Sequence, residues 1–331
     1  MPKIPQYVRA VLAALRFTSP QRESLAGLAA DEWDKVLAFC DRTQLTLPLA
    51  LACRESLPEA VRSRIDRSLA ANAERWQRTR AAYCEAAAAF ASEELEFAVL
   101  KGFSQCPDFV DDPRLRVQYD LDLLLPREHV AAAREAAMQL GYEPLGGLDH
   151  LPVDHLPPLI RKTGWEWRGD FFDVEIPVSL ELHFRLWDAE TERFGPDGLD
   201  RFWVRRRERQ VDGVRFVGLH PVDAVGYASL HLLRHLLRGS LRPSHVYELA
   251  WLLHRKSGDD EFWNVWREWH DDSLRRLEAI CFALAGRWFD CRLSAAAAEE
   301  IERLPSGVAR WLALSHAAPL AGLFHPNKDE I

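Results

Sequence analysis

The sequence has no run of 18 apolar residues free of charge, so no segment reads as a membrane-spanning helix. The opening stretch MPKIPQYVRAVLAALRF is broken by Pro5, carries Arg9 within its apolar part, and shows neither a signal-peptide core nor a small-residue cleavage site. Cysteine is sparse. Cys40, Cys53, Cys84, Cys106, Cys281 and Cys291 are scattered, with no C-x-x-C pair. In a chain of 331 residues this reads as reduced or buried thiols rather than a disulfide framework or a zinc finger. The expected location is the cytoplasm, with no membrane partner. There is no internal repeat, and no low-complexity segment beyond one alanine-rich helix. Basic residues are outnumbered, 42 Lys and Arg against 50 Asp and Glu, for a net charge of −8. That balance argues against broad nucleic-acid binding, which requires many neutralised phosphates. It leaves room for local basic clefts at Arg205, Arg206 and Arg207, or at Arg234, Arg238 and Arg242.

What is present is ample core material, with 48% hydrophobic residues including 12 Trp and 16 Phe. The first 95 residues read as helical, with short helices near 6–16, 31–41 and 45–56. A long helix follows, opened by Pro58, whose missing N–H is harmless in a first turn. It runs through AVRSRIDRSLAANAERWQRTRAAYCEAAAAFASEE without Gly or Pro. The character changes at Phe97. FAVL predicts a short buried strand ended by Lys101-Gly102, and YDLDLLLP predicts a strand stopped by Pro126. PREHVAAAREAAMQLG predicts a helix closed by Gly141. Residues 144–164 read as a loop. WEWRGDFFDVEIPVSLELHFRLWD predicts a strand, a turn at Gly169-Asp170 and a second extended stretch interrupted at Pro177. RERQVDGVRFVGL predicts a hairpin turning at Asp212-Gly213. From Pro221 the pattern is helical again, and the stripe Trp251, Trp263, Trp266, Trp269 and Trp288 reads as helical core. The expected organisation is an N-terminal helical region (1–94), an α/β core (95–220) and a C-terminal helical domain (221–331).

Asp120 and Asp122 stand two apart on a strand, so both carboxylates project from one face while Leu121, Leu123 and Leu125 take the other. Two close carboxylates repel unless a cation lies between them, and hard oxygen ligands suit Mg²⁺. The plainer reading is an exposed strand face with two solvated acids. In LELHFRL, Glu181, His183 and Arg185 share one face. If the two strands belong to one sheet, Glu181 falls beside Asp120 and Asp122, and three carboxylates suffice for two divalent ions. Lys101, Gly102 and Ser104 follow the first strand, where glycine allows a close backbone approach and lysine and serine suit phosphate oxygens. Plainer roles stand beside these: His183 as a hydrogen-bonded sheet histidine, Arg185 as the partner of Asp188, Arg116 as a loop cation. In HLLRHLLR, His231 and His235 share one helical face, but no third ligand is evident and a packing or surface role is simpler.

In order, NAERWQRTR, VLKG, YDLDLLL, MQLGYEP and LELHFRL resemble the bacterial uncharacterised nucleotidyltransferase family, within the DNA polymerase beta-like nucleotidyltransferase superfamily. The resemblance covers about residues 25–255. It implies an α+β fold, with a polymerase-beta-like mixed sheet and helices flanked by N- and C-terminal helical regions. It also implies transfer of a nucleoside monophosphate from an NTP to a hydroxyl-bearing acceptor (small molecule, peptide or protein), with release of pyrophosphate. Asp120, Asp122 and Glu181 would be the catalytic and metal-binding acids for one or two Mg²⁺. Lys101, Gly102, Ser104 and Arg116 would meet nucleotide phosphates, and His183 and Arg185 would orient Glu181 or face the acceptor. Two departures favour an alternative, a weakly active or inactive binding protein of this fold: Phe103 follows Gly102, and Glu rather than Asp stands at 181. A tRNA-directed transferase is the other alternative, supported by the two arginine clusters and opposed by the acidic balance.

Overall fold

The structure, a computed structural model, describes residues 4–146 and 154–315. Helices α1 (Gln6–Ala14), α2 (Glu23–Ala26), α3 (Ala30–Thr43), α4 (Thr46–Cys53) and the 34-residue α5 (Glu59–Ser92) come first. Strands β1 (Ala98–Val99) and β2 (Asp120–Leu124) precede α6 (Val130–Gln139), followed by β3 (Glu143–Pro144), β4 (Leu159–Ile160) and β5 (Ser179–His183). Short helices α7 (Ala189–Glu192) and α8 (Asp200–Val204) lead to the hairpin β6 (Arg207–Val211) and β7 (Val214–Gly218). The rest is helical: α9 (Pro221–Leu237), α10 (Pro243–Lys256), α11 (Asp260–Trp269), α12 (Asp272–Phe289), α13 (Ala295–Glu302) and α14 (Ser306–Ser315). The fold is mixed α+β. Residues 316–331 of the expected C-terminal helical region lie outside the described residues. Among the described residues no single helix is long and apolar enough to cross a membrane.

The chain divides into two compact units, one of residues 1–68 with 228–331, the other of residues 69–227. The first is helical. Asp259 and Ser294 cap α11 and α13 by accepting the backbone N–H groups of Phe262 and Ala297, which otherwise lack helical partners. Trp263, Trp266 and Trp288 are buried as the stripe predicts, while Trp251 and Trp269 are only half-buried. Within this core the Trp266 indole donates to Glu278 (3.0 Å), whose carboxylate also meets His270 Nδ1 (3.0 Å), so a fully buried acid is satisfied on both sides.

The second unit is a seven-stranded mixed sheet in the order β3-β4-β5-β2-β1-β7-β6. β2 and β5 run parallel at its centre, with Asp120 opposite Ser179 and Asp122 opposite Glu181. Leu121, Leu123, Leu180 and Leu182 are fully buried on one face and join Trp76, Tyr83 and Phe90 of α5 and Phe216 of β7 in one core. The hairpin turns at Asp212 and Gly213, both at positive φ, as expected of an Asp-Gly turn.

Two sequence expectations are corrected. No strand forms in Trp165–Arg168, although Gly169 does turn, at φ +84°. Aspartates there take the backbone for themselves: Asp170 accepts from Phe172 N–H, and Asp173 accepts from Glu175 N–H and the Trp165 indole. Such local bonds compete with a sheet ladder. Conversely, the stretch 144–164 is not all loop. β4 pairs antiparallel with β5, and β3 with β4. Residues 147–153 of that stretch lie outside the described residues.

Candidate active site

The polar face of β2 and β5 is where chemistry gathers. Because the strands are in register, Asp122 and Glu181 sit side by side, and His183 follows two residues later on the same face. Ligand atoms of Asp122, Glu181 and His183 lie within 4.8 Å of one another. His183 Nε2 is 3.0 Å from Asp122 Oδ1 and 3.6 Å from Glu181 Oε2. Lys101, just past β1, reaches across to Asp122 Oδ1 at 2.7 Å. Asp122 is wholly buried, and among the described residues its second oxygen, Oδ2, has no hydrogen-bond partner. Glu181 is more open, with 20% of its side chain exposed.

Electrostatics separates the acids. Burial opposes ionisation of Asp122, but the Lys101 ammonium and the His183 imidazole outweigh it and hold its pKa well below the ordinary carboxylate range. Asp120, half-buried at the start of β2, shares the face. Burial first, then the charge of Asp122, raises its pKa to about 7, with Lys101 and Arg116 opposing. His183 is raised well above the ordinary value: burial works against its charged form, but Tyr227 and hydrogen bonds to acids including Asp122 prevail. Lys101 is likewise raised despite its burial, chiefly by Asp122.

The loop that delivers Lys101 is tightly constructed. Gly102 has φ +68°, and a Cβ there would lie 2.1 Å from the Gln118 amide. Gln118 occupies that space to bridge two segments: it accepts from Phe103 N–H (3.0 Å) and donates to Asp120 C=O (2.7 Å). Phe103 anchors the loop in the core, with ring centroids 5.0–5.5 Å from Phe216, Tyr83 and Trp76. Its burial contributes about 1.5–3 kcal/mol. The Ser104 hydroxyl is buried and donates to Lys101 C=O (3.0 Å). From α5, Asn72 donates to the carbonyls of Arg114 and Arg116, and Arg75 to those of Gln118, Asp173 and Ile176. This buried polar stripe fixes the segments that lead into β2 and β5.

Of the residues expected to act together, the structure brings together Lys101, Asp122, Glu181 and His183. Asp120 and Arg116 lie close enough to influence one another electrostatically. Arg185 does not join them; it pairs with Asp188 (3.1 Å) and lies over the Phe184 ring. Arg205 is bound to buried Asp223 and Arg206 to Glu96, so most of that arginine cluster is engaged in ion pairs. Sequence reasoning missed Asp154, buried and 3.7 Å from His183 Nδ1, and buried Tyr227, whose raised pKa reflects burial opposed by the charges of His183 and Lys101. Nothing in the spacing around Asp154 links it to β5. Gln118 was legible in principle, since it stands two residues before Asp120.

A mixed sheet bearing paired acids on adjacent parallel strands, with a lysine supplied by a glycine turn, is an arrangement suited to phosphate-transfer chemistry. The chain matches the uncharacterised nucleotidyltransferase family over residues 29–290 and belongs to it. No curated protein matches the chain.

Proposed function

We propose that the protein is a metal-dependent nucleotidyltransferase, moving a nucleoside monophosphate from an NTP to a hydroxyl-bearing acceptor. The observation that carries this reading is the buried Oδ2 of Asp122, without a partner among the described residues, beside Glu181 and on a face shared with Asp120. A buried carboxylate oxygen without a partner is costly, and a cation is the natural complement. Asp122 and Glu181, with Asp120, would hold Mg²⁺. The ion would supply neutralisation of the charge developing on the triphosphate.

The remaining steps belong to the chain's own groups. The acceptor oxygen attacks the α-phosphorus, the bond to the β-phosphate oxygen breaks, and pyrophosphate leaves. Lys101 turns from Asp122 toward a phosphate oxygen, and Arg116 supports it. Glu181, the most open of the acids around His183, takes the acceptor proton. His183 is a positioning residue, holding Asp122 by one ring nitrogen with Asp154 beside the other. Gly102 and Gln118 fix the loop that presents Lys101, and Ser104 closes its turn. NTP is the co-substrate, and the acceptor is a small molecule, peptide or protein.

Incubation with Mg²⁺ and each NTP tests the reading by pyrophosphate release and by mass gain on an acceptor. Asp122→Asn and Glu181→Gln are expected to abolish both. Unchanged turnover in either variant overturns the mechanism. Calorimetry that detects neither Mg²⁺ nor any NTP favours the reading as a non-catalytic member of the fold, in which Lys101 and His183 permanently neutralise the acids.

A further inference from the structure

The first unit contains a second cluster of ligating side chains, made of imidazoles alone. His231 and His235 lie one turn apart on α9. A five-residue connection, with Gly239 at φ +69°, returns the chain into α10, whose third residue is His245. The three ring centroids lie 4.5, 4.8 and 5.3 Å apart, and one nitrogen from each ring falls within 4.8 Å of the other two. His231 Nε2 and His235 Nε2 are 3.2 Å apart. Two nitrogens so close cannot both carry protons facing each other, so at least one lone pair points into the cluster.

We infer that His231, His235 and His245 form a site for a divalent d-block cation of the Zn²⁺ class, clipping the end of α9 to the start of α10. Zn–N bonds of ~2.0–2.1 Å in a tetrahedral site place ligand nitrogens roughly 3.4 Å apart, close to the separation of the α9 pair. Neutral imidazoles suit Zn²⁺, Ni²⁺ or Cu²⁺ far better than Mg²⁺. A second feature points the same way. His235 Nδ1 is 2.9 Å from the Ser240 hydroxyl in the connection, a bond that orients the ring and leaves Nε2 as the ligand atom. All three residues are half-buried. The inference is independent of the transfer chemistry proposed for the sheet.

The test is titration of the metal-stripped full chain with Co²⁺ as a spectroscopic probe, then with Zn²⁺ as competitor. The wild type is expected to show the visible ligand-field bands of a tetrahedral, nitrogen-ligated Co²⁺ at one ion per chain, displaced by Zn²⁺. Asp122→Asn should retain those bands. His245→Ala should lose them, or weaken binding by more than the roughly 10- to 100-fold expected for loss of an outer-shell partner alone. Ser240→Ala leaves every ligand in place and is expected to weaken binding by about 10- to 100-fold, so it serves should His245→Ala fail to fold. Absence of the bands in the wild type, or a Co²⁺ affinity unchanged in His245→Ala (or, should that variant not fold, unchanged in Ser240→Ala), overturns the site. Bands that vanish in Asp122→Asn but persist in His245→Ala place the ion on the sheet and also overturn it.

Discussion

The two candidate cation sites differ in how their charge is balanced. On the sheet, acids are forced together and already compensated by Lys101 and His183, at 2.7 and 3.0 Å from the same oxygen of Asp122. On α9 and α10, three imidazoles meet without a carboxylate among the grouped ligands. In the proposed reaction, a hard ion and a polyanionic substrate would take over the partners that Lys101 and His183 now supply to the acids. The second site, as inferred above, would hold a borderline metal by neutral nitrogens and suits a fixed structural role. Two regions of one chain thus prepare for cations by opposite means.

The strongest way to break that contrast is Asp122→Ala. It removes the shared partner of Lys101 and His183, leaving buried charge uncompensated, and is expected to destabilise the protein by about 3–5 kcal/mol. Turnover should fall by at least about 10²–10³-fold. Chemical denaturation and pyrophosphate release measure the two effects, and the histidine site should keep its metal. Gly102→Ala comes next. Its Cβ would collide with Gln118 at a φ that disfavours alanine, for an expected loss of about 1–3 kcal/mol with slowed turnover. A thermal melt that matches the wild type would show that the Lys101 loop is not fixed in this way.

The third prediction concerns pH. Asp120 has a folded pKa of about 7 against an ordinary 3.8, so between about pH 4 and 7 the folded metal-free chain keeps a proton that the unfolded chain has released. Its contribution to stability therefore falls as pH rises through that window. Denaturant titrations at several pH values should show Asp120→Asn gaining on the wild type as pH increases from 4 to 7. Mg²⁺ affinity should rise over the same range, because the ligand must lose its proton. The smallest effect is expected for Arg185→Ala, which removes a partly exposed partner from buried Asp188 but leaves that carboxylate its bonds from Glu190 N–H and the Thr191 hydroxyl. It should change stability by about 0–1 kcal/mol and leave turnover intact.

Much of the frame was legible in sequence because it rests on local rules. The helix-favouring run rich in Ala, Arg and Glu after Pro58 marks α5, alternation in YDLDLLL fixes which face of β2 joins the apolar core, and Asp212-Gly213 sets the last hairpin. The pairing of Asp122 with Glu181 followed from two strands sharing a sheet. What failed to show was non-local or came from side chains competing with the backbone. Asp170 and Asp173 dissolve an expected strand, and β4 forms by pairing with β3 and β5, partners that its own short sequence does not announce. Asp154 reaches His183 from a segment that reads as loop, and His245 completes a cluster that two helical histidines only half describe. Asn72 and Arg75 stand in the NAERWQRTR stretch that carries the resemblance, but nothing in its helical composition shows that they are buried and hold the loops of the site.

The most direct test of the central claim is a crystal of the protein soaked with Mn²⁺ and a non-hydrolysable NTP, examined for anomalous scattering. A metal peak is expected between the Asp122 and Glu181 carboxylates, with the triphosphate beside Lys101. A bound triphosphate with no peak there, or a peak that leaves Asp122 still held by Lys101 and His183 alone, would contradict that claim.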